Sequence, residues 1–135
     1  MRRVRMFTAA ALVLSTLAFG SPPSTASAQV VMCQGLVATI VGTSGNNVLI
    51  GGSGDDVIAG LEGNDLIEGR GGRDTICGGR GIDTLNGDGN DDSINGGPDD
   101  DILRGGDGSD ILDGGNDFDD CNGGLGANTL IACES

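Results

Sequence analysis

Gly51-Gly52-Ser53-Gly54-Asp55-Asp56-Val57-Ile58-Ala59 and Gly105-Gly106-Asp107-Gly108-Ser109-Asp110-Ile111-Leu112-Asp113 are two copies of one nine-residue phrase. Between Gly42 and Ile131 the phrase recurs ten times without insertion or slip. Position one is Gly in every unit: Gly42, Gly51, Gly60, Gly69, Gly78, Gly87, Gly96, Gly105, Gly114 and Gly123. Position six is Asp56, Asp65, Asp74, Asp83, Asp92, Asp101, Asp110 and Asp119, with Asn47 and Asn128 in the first and last units. Position eight is aliphatic except at Cys121. A fixed short period means one structural unit stacked on copies of itself, so the repeat dictates the architecture.

Each unit divides into a Gly-rich half of six residues and an apolar half of three. Gly supplies backbone angles with positive φ that other residues resist. Where position four is not Gly it is Asn90, Asp99 or Asp117. Asn and Asp tolerate the left-handed region best after Gly, so position four is expected to be left-handed. The last three residues are expected to form a very short strand, with position eight facing in and positions seven and nine facing out. One aliphatic residue in nine cannot build a globular core. Stacked at a strand spacing of about 4.8 Å, the aliphatic column becomes continuous.

The phrase G-G-x-G-x-D-x-U-x, repeated over Gly42–Ile131, resembles the RTX, or hemolysin-type calcium-binding repeat, family. That resemblance implies an all-β fold: a right-handed parallel β-roll with two nonapeptides per turn. It implies Ca2+ between the Gly-rich turns, held by the position-six Asp carboxylates and main-chain carbonyls. Ten units then make five turns and a roll about 24 Å long. Alternate units stack, so one column holds Asn47, Asp65, Asp83, Asp101 and Asp119, and the other Asp56, Asp74, Asp92, Asp110 and Asn128. Each column of five has four gaps, and the gaps bordered by Asn47 and Asn128 hold one carboxylate each and are expected to be weaker.

Electrostatics supports the same ion. Unit charges about 4.8 Å apart repel by about 1 kcal/mol in water and by several at an effective dielectric near 20. An empty Asp column therefore opposes the stacking that the aliphatic column favours. Calcium takes 6 to 8 oxygens in flexible geometry, carbonyls included, whereas magnesium demands a tighter octahedron and keeps its waters. Other motifs fail on context. Asp88-Gly89-Asn90-Asp91-Asp92 looks like a fragment of an EF-hand loop but lacks the closing Glu and flanking helices. Collagen requires Gly every third residue, and the period here is nine.

Outward from the repeat, Arg2, Arg3 and Arg5 precede an apolar run from Met6 to Phe19 and a segment ending Ala26-Ser27-Ala28. This reads as a secretory signal peptide over residues 1–28. The run is shorter than the ~20 residues a membrane span needs, so membrane insertion is not expected. Residues 29–41 are expected to form a capping strand over the open end of the stack, with Ile40 on a degenerate core position, and residues 132–135 a tail. An even cysteine count in an exported chain reads as two disulfides. Three pairings are possible; Cys121 and Cys133, close in sequence at the far end of the repeat, are expected to pair, leaving Cys33 with Cys77 as a clasp at the near end.

Beyond residue 28 there are four Arg, twenty Asp and Glu, and no Lys or His, a net charge of −16. Such a surface repels nucleic acid and anionic lipid and attracts cations. Without His or Lys the usual general bases and activated nucleophiles are missing, so an enzyme is not expected. Two function classes follow. One is a secreted, extracellular calcium-binding protein that folds on binding. The other is an adhesion or interaction protein using outward residues such as Val48, Ile50, Val57, Leu66, Ile102, Ile111 and Ile131 toward a protein partner the sequence does not name.

Overall fold

The computed structural model describes residues 29–134; the expected signal segment, 1–28, lies outside the described residues. Eleven of the thirteen strands belong to two parallel sheets. One sheet stacks β3 (Ile40–Val41), β5 (Val57–Glu62), β7 (Thr75–Arg80), β9 (Ser93–Gly97), β11 (Ile111–Gly115) and β13 (Thr129–Ile131). The other stacks β4 (Val48–Ile50), β6 (Leu66–Gly71), β8 (Thr84–Gly89), β10 (Ile102–Asp107) and β12 (Asp120–Leu125). The chain alternates between them, so each strand pairs with the next-but-one at an offset of 18 residues: Ile58 with Ile76, Ile67 with Leu85, Leu103 with Cys121. Two nonapeptides therefore make one turn of a β-solenoid.

Position eight faces the interior. Ile58, Ile67, Ile76, Leu85, Ile94, Leu103 and Leu112 are fully buried in one cluster, extended by Ile40, Leu49 and Cys121. At about 1.5–3 kcal/mol for each buried aliphatic side chain, this single file supplies most of the apolar stabilisation.

The interior strands are longer than the expected three residues. They run five or six, because pairing continues through position one into positions two and three of the next unit. Alternation then brings position one inside as well, and Gly60, Gly69, Gly78, Gly87, Gly96, Gly105 and Gly114 are buried. Their φ angles lie outside the left-handed region. These glycines are required for space. A Cβ on Gly87 would collide with the Asp92 carboxylate and stand 2.8 Å from the Gly105 carbonyl oxygen. From the third unit on, the left-handed positions are four, including Asn90, Asp99 and Asp117, and, in addition, two, where Leu61, Arg70 and Asp88 adopt it despite their side chains.

Residues 29–41 divide. Ile40–Val41 is a rung of the first sheet, paired with β5, and Ile40 packs on the core column. The antiparallel hairpin β1 (Met32–Cys33) and β2 (Leu36–Val37) lies instead against the flank, with β1 on β5 and β7. Its Cys33–Cys77 disulfide crosses to the third strand of the sheet, and Ala59, an outward position, is buried beneath it. The clasp therefore holds the face of the roll, while Ile40–Val41 is the end strand of its sheet. The second disulfide joins Cys121 and Cys133.

Candidate metal centre

Position six is two residues before position eight, so strand alternation turns its side chain inward too. Asp65, Asp74, Asp83, Asp92, Asp101, Asp110 and Asp119 are each at most 3% exposed. They form two columns, one behind each edge of the roll, with the membership read from the sequence. Within a column, each backbone N–H donates to the Oδ1 of the residue one turn on. Asp65 donates to Asp83 at 2.7 Å, Asp83 to Asp101 at 2.7 Å, Asp74 to Asp92 at 2.8 Å and Asp92 to Asp110 at 2.9 Å. Asn47 donates to Asp65, Asp56 to Asp74, and Asp110 to the amide oxygen of Asn128.

That ladder uses one oxygen of each carboxylate. The other, Oδ2, is buried without a hydrogen-bond partner in all seven. Each lies beside the position-one Gly of its own unit, where the position-one carbonyl of the next turn also converges. The first turn differs. Asp56 is partly exposed and its Oδ2 accepts the Gly52 N–H at 2.7 Å, while the Asn47 oxygen accepts the Thr43 N–H at 2.6 Å. Of the expected site residues, Asn47, Asp56 and Asn128 are thus the less enclosed.

Among the described residues nothing basic balances the columns: Arg70, Arg73, Arg80 and Arg104 are all exposed. Burial, with neighbouring Asp charges adding to it, pushes Asp83 up to about 6 and Asp92 and Asp101 up to about 7. Burial also raises Asp74 and Asp119. Hydrogen bonds from the preceding turn oppose these shifts and do not cancel them.

Orphaned carboxylate oxygens next to main-chain carbonyls, in a file with negative charge and no nitrogen or thiolate, form a donor set for a hard cation. All four cysteines are in disulfides, which removes thiolate ligation. The residues present fit calcium.

Comparison with known proteins agrees. The family model described as RTX calcium-binding nonapeptide repeat (4 copies) matches residues 39–67, 50–85, 68–103, 86–121 and 95–130. The chain belongs to the RTX calcium-binding nonapeptide repeat family. Calcium is accordingly its ion, and the stacked parallel strands are the calcium-binding β-roll of that family. No curated protein and no solved structure matches the chain.

Two features of the site escaped the sequence reading. Position five builds a second ladder on the outside of the turns, running the opposite way. Asn46 accepts from the Asn64 N–H at 2.9 Å, Asp55 from Arg73 at 2.8 Å, and Asp91 from Ser109 at 2.9 Å. Position five is Asn or Asp in only some units, which hid the pattern. The other feature is Glu134, whose Oε2 accepts the Asp119 N–H at 3.0 Å, in the role a position-six carboxylate plays elsewhere. It falls outside the nonapeptide register and carries no periodic signal.

Proposed function

We propose that this protein is a secreted, non-catalytic calcium-binding roll that folds on binding its ions. Calcium is held by Asp56, Asp65, Asp74, Asp83, Asp92, Asp101, Asp110 and Asp119 with main-chain carbonyls, and Asn47 and Asn128 border weaker end sites. The observation that carries this reading is the set of seven buried Oδ2 atoms without partners. A bound divalent cation supplies the positive charge that makes ionised columns compatible with a dry interior. The residues do the rest. The ladder through Oδ1 fixes each carboxylate at its height, the position-one glycines leave room beside Oδ2, and the aliphatic file excludes water.

Support for secretion comes from the N-terminal segment 1–28 and from two disulfides, which belong to oxidising compartments. Among the described residues no helix is long and apolar enough to cross a membrane.

The test is a calcium titration of the metal-free, reduced chain followed by far-UV circular dichroism. Because ligand binding and folding are linked, an unfolded spectrum in chelator is expected to become β-rich with calcium. Midpoints are expected at about 10⁻⁴ to 10⁻³ M, the range of extracellular modules. A β-rich spectrum that ignores calcium at neutral pH sinks the proposal. A second reading, an adhesion or interaction protein, rests on exposed Val48, Ile50 and Leu66 on the outer face of the five-stranded sheet. Calcium-dependent capture of one defined partner, lost on changing Val48 and Leu66 to Ser, distinguishes it.

A further inference from the structure

Residues 132–134, which follow the last repeat, reproduce the contacts of another turn. The Ala132 carbonyl oxygen stands against Gly114 beside Asp119 Oδ2, where the position-one carbonyl of a next turn belongs. The Glu134 N–H donates to the Asp119 carbonyl at 2.9 Å, as the position-seven N–H of Ile102 does to Asp83. Glu134 Oε2 in turn accepts the Asp119 N–H at 3.0 Å. Interior carboxylates reach that place from 18 residues on, whereas Glu134 reaches it from 15. Its backbone sits at the height of position seven, and its extra methylene carries the carboxylate back to the place of position six. The Cys121–Cys133 disulfide anchors the segment there.

The two columns consequently end differently. The column of Asp56 stops at Asn128, a neutral amide. The column of Asn47 continues past Asp119 to a carboxylate. Asp119 is 1% exposed, and its Oδ2, without a hydrogen-bond partner, points to the space shared with the Ala132 carbonyl. We propose that Glu134 is a calcium ligand, completing with Asp119 and the Ala132 carbonyl an additional site outside the nonapeptide pattern, which the Cys121–Cys133 disulfide holds closed. This rests on the reading of the columns as calcium sites. It adds a site where the repeat register alone leaves the column unfinished, and it gives the second disulfide a function in binding.

The experiment counts ions bound to the oxidised, folded protein by equilibrium dialysis above the calcium midpoint for folding. Four proteins are compared: wild type, Glu134→Gln, Cys121→Ser/Cys133→Ser and Asp83→Ala. Gln keeps the acceptor for the Asp119 N–H and removes the charge. Glu134→Gln is expected to remain folded and to bind one ion fewer, that ion weakened by about tenfold or more, since affinity follows ligand charge. The double Ser variant is expected to lose the same ion. Unchanged counts and affinities in Glu134→Gln overturn the proposal, and an unchanged count in the double Ser variant overturns the tether. If Asp83→Ala also binds the wild-type number, the reading of the columns fails instead, which separates the two failures.

Discussion

Asp92 shows at the scale of one residue what the fold asks of its carboxylates. Its Oδ1 is engaged by the turn before, its Oδ2 has no partner, and its pKa is pushed up to about 7 by burial. A carboxyl that binds its proton more tightly folded than unfolded stabilises the fold below its unfolded value, near 3.8. That contribution is lost as pH rises through the folded value. Asp83, Asp92 and Asp101 together place the loss between about pH 4 and 7. The metal-free protein is therefore expected to gain β structure and thermal stability on acidification from pH 8 to pH 5. Calcium affinity is expected to fall over the same window, because proton and ion compete for the carboxylates. Melting curves at both pH values, with and without calcium, check this, and a metal-free protein less stable at pH 5 contradicts it. Leu85→Asp puts a charge into the file one residue wide and is expected to prevent folding at any calcium level. Thr84→Asp, one residue earlier on the outer face, is expected to cost about 1 kcal/mol or less. Circular dichroism of the pair reads the inward and outward assignment. Gly87→Ala is expected to be as damaging as a core change, because the Cβ meets the Asp92 carboxylate.

The strand and its turn form the next scale. Within the roll, each turn is joined to the turns before and after it, 18 residues away, through the main-chain pairs and the two side-chain ladders. In such a linear array the damage from a change depends on where it falls. Asp83 lies mid-column, accepting from Asp65 and donating to Asp101, so Asp83→Ala removes one rung of the ladder and alters the sites on both sides. Asn128 accepts only from Asp110 and closes its column. Asp83→Ala is expected to lose or weaken two ions and to raise the calcium midpoint for folding. Asn128→Ala is expected to lose at most one weak ion. Titration calorimetry alongside the folding midpoint measures both, and equal shifts in the two variants mean that ions are not shared between stacked turns.

For the molecule as a whole, the disulfides and the ions act on the same equilibrium from opposite sides. On the proposed reading, calcium stabilises the folded roll, while the bridges restrict the unfolded chain. Loop-closure entropy for separations of 44 and 12 residues corresponds to about 4 and about 3 kcal/mol. Shared over several ions, that sum is expected to move the calcium midpoint for folding up a few-fold on reduction. Calcium titrations of oxidised and reduced protein, followed by circular dichroism, decide it, and coincident midpoints contradict it. The charge acts at this scale too: −16 on a narrow roll raises local cation concentration, so added monovalent salt is expected to weaken calcium binding.

The nonapeptide period by itself determined a stack of like units and its aliphatic file. The two-unit turn with its 18-residue stacking, the membership of the two Asp columns and calcium as the ion came with the resemblance to the RTX repeat, and the charge of the columns supports that ion. The file follows from the residue type that recurs at position eight, and a parallel stack propagates any such column unchanged. The left-handed angle at position four was legible for the same reason, since Asn90, Asp99 and Asp117 replace Gly with the residues that best tolerate it. Only the tertiary structure decided what the inward side contains. Strands that continue through position one bring its glycines against the carboxylates, so the invariant Gly is a demand for space that a sequence cannot tell from a demand for φ. The flank position of the β1–β2 hairpin and the return of Glu134 to Asp119 were likewise invisible in the period. Both lie outside the repeat, where placement comes from disulfides and contacts distant along the chain rather than from register.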